Sequence, residues 1–111
     1  MSGKFEIKEG TSGKFRFNLK AGNGQIILSS ETYETKQGAK GGIESVKKNA
    51  ADHSRYERKT ATNGEAYFVL KAGNGEPLGR SETYSSKSAM ENGVESVKSN
   101  APGAEVVDTT T

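Results

Sequence analysis

Cysteine and tryptophan are absent from this 111-residue chain, and it has only two prolines. Without cysteine no disulfide framework can form, which excludes a small secreted scaffold held together by disulfides. Hydrophobic residues make up only 31% of the chain, so the core must be thin. We expect one layer of helices packed on one layer of sheet.

Long apolar runs are missing as well. No run approaches the roughly 18 residues that a membrane-spanning helix needs. The N-terminal segment 1–9 contains the run KFEIK and lacks the apolar stretch of a signal peptide. We therefore expect a soluble protein of a bacterial-type cytoplasm, with no membrane partner.

The net charge of +2 is unevenly distributed along the chain. Residues 1–51 hold nine Lys/Arg and five Asp/Glu, whereas residues 52–111 hold seven and nine. Such asymmetry between halves points to an anionic partner, although ordinary solvated surface charge explains it as well.

An internal repeat with an offset of 51 residues dominates the sequence. Segments 19–50 and 70–101 are identical at 18 of 32 positions without a gap. The same offset aligns Phe5 with Tyr56 and Tyr56 with Val107, so this position occurs three times. Because chance does not produce such a match, the chain is a tandem duplication.

Each copy predicts three strands and a helix. Alternating apolar residues predict strands at 4–9, 15–20 and 25–30, and their equivalents in the second copy. An Asn-Gly pair between the second and third strands suits a type I′ hairpin turn. Apolar residues at helical spacing follow in each copy, with Thr35 or Ser86 as a plausible N-cap. A last strand is expected at 105–108.

We predict a single domain over residues 1–111, made of repeat 1 (about 4–54) and repeat 2 (about 55–108) with a disordered tail at 109–111. A lone copy would leave a sheet edge open, so each trailing strand is expected to pair in the other copy. Because this pairing is satisfied within one chain, we expect a monomer with internal pseudo-twofold symmetry.

The runs AGNG, SETY and G-[IV]-E-S-V-K-x-N-A occur in both copies. They resemble the YegP-like family of small bacterial proteins of unknown function, and the similarity covers nearly the whole chain. The resemblance implies an α+β fold in which tandem β(3)-α-β repeats share one antiparallel sheet. It further implies two helices on one face and swapped C-terminal strands, but no activity.

The SETY segments, 30–33 and 81–84, admit two explanations. Their hydroxyls and carboxylates suit free amides at a helix start, with the tyrosines covering the boundary between sheet and helix. Alternatively, Glu31 and Tyr33 come together with Glu82 and Tyr84 across a pseudo-dyad and form a shared ligand or enzyme site.

Other candidate sites have simpler explanations. The AGNG turns lead into a strand, whereas a phosphate-binding loop opens into a helix. His53 lies between Asp52 and Ser54, but a catalytic triad is defined by geometry, so we expect an exposed linker histidine. One histidine without cysteine predicts no metal site, and we expect no cofactor. Close helix packing explains Gly42 and Gly93.

The strand residues that face away from the helices form another candidate surface. These include Arg16 and Lys20 in the first copy and Tyr67 and Lys71 in the second. A basic face with an aromatic residue could bind RNA or single-stranded DNA by phosphate contact and stacking. The alternative is a plain hydrated face of an antiparallel sheet.

The absence of a catalytic constellation leaves three hypotheses. The first, which we favour, is a non-enzymatic interaction module for a protein, peptide or small anion. The second is a nucleic-acid-binding protein that uses the sheet face. The third is an enzyme with its site between the two SETY segments.

Overall fold

The computed structural model of the protein describes residues 3–10 and 12–110. Its regular elements follow the order that the repeat predicts, with three strands and a helix in each copy and then a last strand. They are β1 (Lys4–Glu9), β2 (Phe15–Lys20), β3 (Ile26–Ser30), α1 (Lys36–Asn49), β4 (Tyr56–Thr60), β5 (Ala66–Lys71), β6 (Pro77–Arg80), α2 (Lys87–Asn100) and β7 (Glu105–Asp108).

The seven strands form one sheet in the order β4-β5-β6-β3-β2-β1-β7. The two repeats meet at its centre, where β3 and β6 pair through Ser29–Arg80 and Ser30–Gly79. Strand β7 of repeat 2 pairs with β1 of repeat 1, and β4 pairs with β5 at the other edge. The α+β fold with one shared sheet and a swapped C-terminal strand is therefore confirmed.

The sheet is mixed, although the sequence predicted an antiparallel one. Strand β7 runs parallel to β1, with Lys4 opposite Glu105 and Ile7 opposite Asp108. Parallel neighbours cannot be joined by a tight hairpin, and the chain connects β1 to β7 through residues 10–104, which include both helices. Apolar alternation does not encode strand direction, so the sequence contained no signal for this difference.

Both helices pack on one face of the sheet, and a single apolar core includes residues of both repeats. Helix α1 contacts β1 and β2 of its own repeat and also β5 and β6 of the other, and α2 reaches across to β3. Phe5 and Phe17 meet edge to face at 5.7 Å, and the equivalent Tyr56 and Phe68 do so at 5.6 Å. The helices therefore hold the two halves together.

The helix ends follow the sequence prediction. The hydroxyl of Thr35 accepts a hydrogen bond from the Gly38 amide at 2.9 Å, and Ser86 caps α2 in the same way. At the other end, the side-chain amide of Asn49 donates to the Ser45 carbonyl at 2.8 Å and adds a bond within the last turn. The two cap bonds satisfy amides that the helix itself leaves without partners.

The Asn-Gly hairpins differ from the predicted type I′ turns. Among the described residues only glycines have positive φ, including Gly24 at 86°. The Gly24 amide donates to the Ala21 carbonyl, and the Asn23 side chain accepts from the Gln25 amide at 3.0 Å. Because this side-chain bond holds Asn23 at negative φ, the turn is of type I and is followed by a left-handed glycine.

The C-terminal residues differ from the predicted disordered tail. The amide of Thr109 donates to the Ile7 carbonyl at 3.1 Å, and the amide of Thr110 donates to the Asp108 carboxylate at 2.9 Å. These bonds continue the β1–β7 pairing beyond the strand. Of the other residues predicted to be disordered or in a turn, Met1, Ser2, Thr11 and Thr111 lie outside the described residues.

The glycine inside each helix makes room for a tyrosine. A Cβ atom on Gly42 would lie 2.7 Å from Cζ of Tyr33, 3.0 Å from Cε2 of Phe17, and against the Tyr33 hydroxyl. Gly93 and Tyr84 have the same relation in repeat 2. The close approach predicted for these glycines is thus made by a tyrosine that covers the boundary between helix and sheet.

We expect Gly42→Ala to destabilise the protein and Gly41→Ala to stabilise it. Both changes gain about 1 kcal/mol of helix propensity. At Gly41 a Cβ atom meets nothing within 4 Å, whereas at Gly42 it displaces Tyr33, and such overpacking costs about 1–3 kcal/mol. Urea unfolding of the two variants measures the difference, and equal stabilisation of both would refute the proposed contact.

Candidate functional site

The serines of the SETY segments hold the sheet together. The Ser30 hydroxyl accepts a hydrogen bond from the Phe17 amide at 2.8 Å and donates to the Glu31 carbonyl at 2.7 Å. Ser81 makes the same two bonds with the Phe68 amide and the Glu82 carbonyl. Each hydroxyl thus bonds to a strand amide, whereas the structural explanation from the sequence placed it at free amides of a helix start, which Thr35 and Ser86 cap instead.

The tyrosines of these segments are anchored by backbone and ring. The Tyr33 amide and carbonyl bond to Phe15 at 2.6 and 2.8 Å, and its ring stacks on Phe17 with centroids 6.1 Å apart. Burial raises the pKa of the Tyr33 phenol above its usual value, and the charges of Glu31 and Glu76 raise it further. The phenol therefore stays protonated and is unsuited to act as a base at neutral pH.

The two SETY segments do not share a site, contrary to the enzyme hypothesis. Glu31 and Tyr33 line one cleft of about 520 Å³, and Glu82 and Tyr84 line another of about 480 Å³. Each cleft combines the segment of one repeat with the Asn-Gly hairpin of the other; Lys20 lines the second. The pseudo-dyad therefore places the two segments in separate, equivalent clefts.

We expect Ser81→Ala to destabilise the protein by about 1–3 kcal/mol, because the Phe68 amide then loses its partner in a buried position. Ser81 is only 7% exposed, so water does not readily replace the hydroxyl. The exposed Ser99→Ala on α2 is the control, expected to change the free energy of unfolding by less than about 0.5 kcal/mol. Equal effects of the two changes in chemical denaturation would show that the hydroxyl is dispensable.

The outer face of the sheet, which the helices leave uncovered, is basic. Its charged side chains are those that alternate with the buried residues of each strand. The cations are Lys4, Lys8, Arg16, Lys20, Lys59, Lys71 and Arg80, and the acids are Glu6, Glu57 and Glu105. The strand residues of this face therefore carry a charge of +4, and Glu31, which lines a groove on the same face, reduces the sum to +3. Either value exceeds the +2 of the whole chain.

Two equivalent ion-pair clusters lie on the outer face. Nζ of Lys20 lies 3.0 Å from the Glu6 carboxylate, which Lys4 and Lys8 also approach. In repeat 2, Nζ of Lys71 lies 2.6 Å from the Glu57 carboxylate. The predicted residues Lys20 and Lys71 are therefore already paired. Arg16 and Arg80, by contrast, have no ion pair within the part of the chain described.

A shallow groove of about 310 Å³ crosses the outer face of repeat 2. It brings together the predicted residues Tyr67, Lys71 and Glu31, and it adds Lys59 and Arg80. The sequence did not single out Arg80, because a register shift in β5–β6 obscures which side chains of Pro77–Arg80 face outward. Arg16 lies on the other half of this face, opposite Lys8 in the sheet register.

The pKa of the Glu6 carboxyl is lowered, first by its hydrogen bond with Lys20 and then by the charges of Lys20, Lys8 and Lys4, against the opposing effect of burial. A carboxyl whose pKa is lower in the folded than in the unfolded state stabilises the fold above its unfolded pKa. That stabilisation is lost as the pH falls through the folded pKa.

We expect Glu6→Gln to weaken the pH dependence of stability. Wild-type protein loses the contribution of the Glu6 carboxylate between pH 7 and pH 3, and the variant has none to lose. Urea unfolding of both proteins at the two pH values measures this loss. The assignment fails if the two proteins lose the same free energy of unfolding on acidification.

The side chains of Asp52, His53 and Ser54 are not arranged as a catalytic triad. Asp52 accepts hydrogen bonds from the amide and hydroxyl of Ser54 instead of from His53. The exposed His53 ring instead lies 2.7 Å from the Arg58 guanidinium. The described residues contain no cluster of His, Asp or Glu that could hold a metal ion, and none of their helices is long and apolar enough to cross a membrane.

Comparisons with known proteins agree with the repeat architecture. Residues 11–57 and 61–108 each match the family described as a domain of unknown function, DUF1508. A UPF0339 protein encoded 5′ of the ptx operon of Stutzerimonas stutzeri is 53% identical over 97% of both chains. The solution NMR structure of yegP from Escherichia coli, of unknown function, is 46% identical with a TM-score of 0.94. It covers 99% of this chain and 95% of its own.

Proposed function

The chain belongs to the DUF1508 family of unknown function, and we propose that it is a non-enzymatic interaction module that binds an acidic protein surface through its outer face. The observation that carries this proposal is the concentration of positive charge on the outer face, whose strand residues and Glu31 together carry +3 in a chain of +2. Such a face steers and orients a partner of opposite charge. The two cations without ion pairs, Arg16 and Arg80, are its expected anchors.

The arrangement of acidic residues on the outer face favours a protein over a nucleic acid as the binding partner. Glu6 and Glu57 lie in the same cross-strand row as Asn18, Ser29 and Arg80, so carboxylates stand within the basic surface. A phosphate backbone would meet these carboxylates unfavourably, whereas a protein surface can place a cation opposite each of them. Tyr67 is also the one aromatic residue among the outward side chains of the described strands.

RNA or single-stranded DNA is the second candidate, favoured by the groove in repeat 2. There the Tyr67 side chain lies beside Lys59, Lys71 and Arg80, the combination of a ring and cations on which a base stacks and a phosphate binds. Binding of this kind depends steeply on salt concentration.

The separation of the two SETY segments supports the non-enzymatic part of the proposal, since their hydroxyls and rings serve the sheet. A monomer and a cytoplasmic location complete the proposal. Sedimentation of the purified protein and fractionation of cells test these two parts separately.

We expect a photo-crosslinking amino acid at Ser29, in the centre of the outer face, to form a discrete protein adduct in cells. Arg16→Glu with Arg80→Glu should reduce the adduct about tenfold or more, because the anchoring charges are reversed. Lys48→Glu with Lys87→Glu, on the exposed helix side, makes the same change in net charge and should leave the yield unchanged. Gel analysis with and without nuclease identifies the class of partner.

Three outcomes contradict the proposal. If the adduct is destroyed by nuclease, the nucleic-acid alternative replaces it. If both pairs of charge reversals reduce the adduct equally, net charge and not the outer face is responsible. If a crosslinker at Lys48 captures the same protein as one at Ser29, the outer face is not the binding surface.

A further inference from the structure

The two edges of the sheet differ in whether their backbone hydrogen-bonding groups are occupied. At the β4 edge the Tyr56 amide donates to the His53 carbonyl, and the Arg58 guanidinium donates to the Tyr56 carbonyl at 3.0 Å. Arg58 is held there by Glu91 of α2, at 2.8 and 3.0 Å. An inward-pointing charge and occupied backbone groups are devices that prevent a further strand from pairing.

At the β7 edge Asp108 likewise points to the helix side and pairs with Lys36 of α1, but within the described residues no side chain bonds to the backbone groups of Val106. The Ile7 carbonyl accepts from the Thr109 amide at 3.1 Å, which fixes the direction of the backbone groups along β7. Residues two apart turn their amides and carbonyls to the same side of a strand. Val107 therefore bonds towards β1, as Thr109 does, while Val106 and Asp108 present their backbone groups to the open edge.

An apolar groove of about 450 Å³ adjoins this open edge, between β7 and α1. Val106 and Ile43 form its apolar floor, and Val106 is the large hydrophobic side chain that stands most exposed among the described residues, at 40%. Gly41 leaves the helix wall open, since a Cβ atom there would meet nothing within 4 Å. An edge strand beside a helix-walled apolar groove is the arrangement that receives an extended peptide as an added strand.

The β4 edge of a second copy does not fit this edge, because its backbone groups at Tyr56 are occupied. The charges on the rim of the groove favour a segment of a different protein as the occupant, whereas pairing of two β7 strands would give a dimer.

The rim of the groove indicates the charge of that segment. Lys40 and Glu44 lie one helical turn apart on α1, are both exposed, and make no ion pair within the described residues. Asp108 is already paired with Lys36 at 2.9 Å. The complementary segment thus has an acidic residue for Lys40 and a basic residue for Glu44, on either side of an aliphatic side chain.

We propose that the β7 edge binds an extended segment of a partner protein, whose aliphatic side chain enters the groove between β7 and α1 and whose flanking acid and base pair with Lys40 and Glu44. This groove lies on the helix side of the sheet. It is therefore independent of the outer face, and either proposal can fail without the other.

The test is a selection of seven-residue peptides displayed on phage against the full-length protein. Enriched peptides should share an aliphatic residue between an acid and a base. Val106→Lys and Gly41→Leu should each weaken their binding about tenfold or more, since one charges the groove floor and the other fills the groove. Val107→Lys, which adds the same charge to the same strand on the outer face, should leave binding unchanged.

The charge swap Lys40→Glu with Glu44→Lys should reverse the order of acid and base in the enriched peptides while the aliphatic residue stays. Two-dimensional NMR spectra check that every variant keeps the fold. The proposal is overturned if no peptide is enriched, or if the enriched peptides bind Val106→Lys and Gly41→Leu as tightly as the wild type. Dimerisation of the wild type that Val106→Lys abolishes would assign the groove to a second copy instead.

Discussion

The central seam between β3 and β6 is the constraint on which the rest of the structure depends. Only two residue pairs join the halves there, and the backbones approach so closely that a Cβ atom on Gly79 would lie 2.8 Å from the Ser29 carbonyl oxygen. So short a ladder cannot hold two half-sheets by itself. The helices therefore have to bridge the seam by packing closely on both half-sheets. This close packing explains the glycine inside each helix and the SETY tyrosine that lies against it.

The sequence predicted well what depends on local periodicity. Alternation at Phe5 and Ile7 located β1, and a hydroxyl before an apolar helical run located the cap at Thr35. Prediction from the sequence failed where a long-range contact or a competing hydrogen bond determines the strand direction or the turn type. The parallel direction of β7 depends on pairing with residues 101 positions earlier in the chain, and the Asn23 side chain holds its own backbone out of the left-handed region. The hydrogen bond of Thr109 to Ile7 could likewise not be predicted, because a threonine-rich chain end has no pattern that indicates a distant partner.

The comparison of the two repeats separates scaffold from candidate surface. The SETY segments and Gly42 are the same in both copies because each makes the same contacts twice. On the outer face the ion pair of Glu6 and Lys20 recurs as Glu57 and Lys71, but other positions differ between the copies. Arg16 corresponds to Tyr67, and Ser29 corresponds to Arg80. The two SETY segments line separate clefts instead of one shared site, because the pseudo-dyad relates two equivalent clefts, one for each repeat.

The pairing of β7 with β1 also determines when the sheet can be completed during folding. Ile7 and Thr109 are 102 residues apart in the chain, yet they share a hydrogen bond. During synthesis one edge of β1 stays without a partner strand until β7 has left the ribosome. Contacts of such sequence separation form slowly, and an exposed edge invites wrong pairings in the meantime. A chain that lacks β7 therefore leaves this edge of β1 without its partner strand.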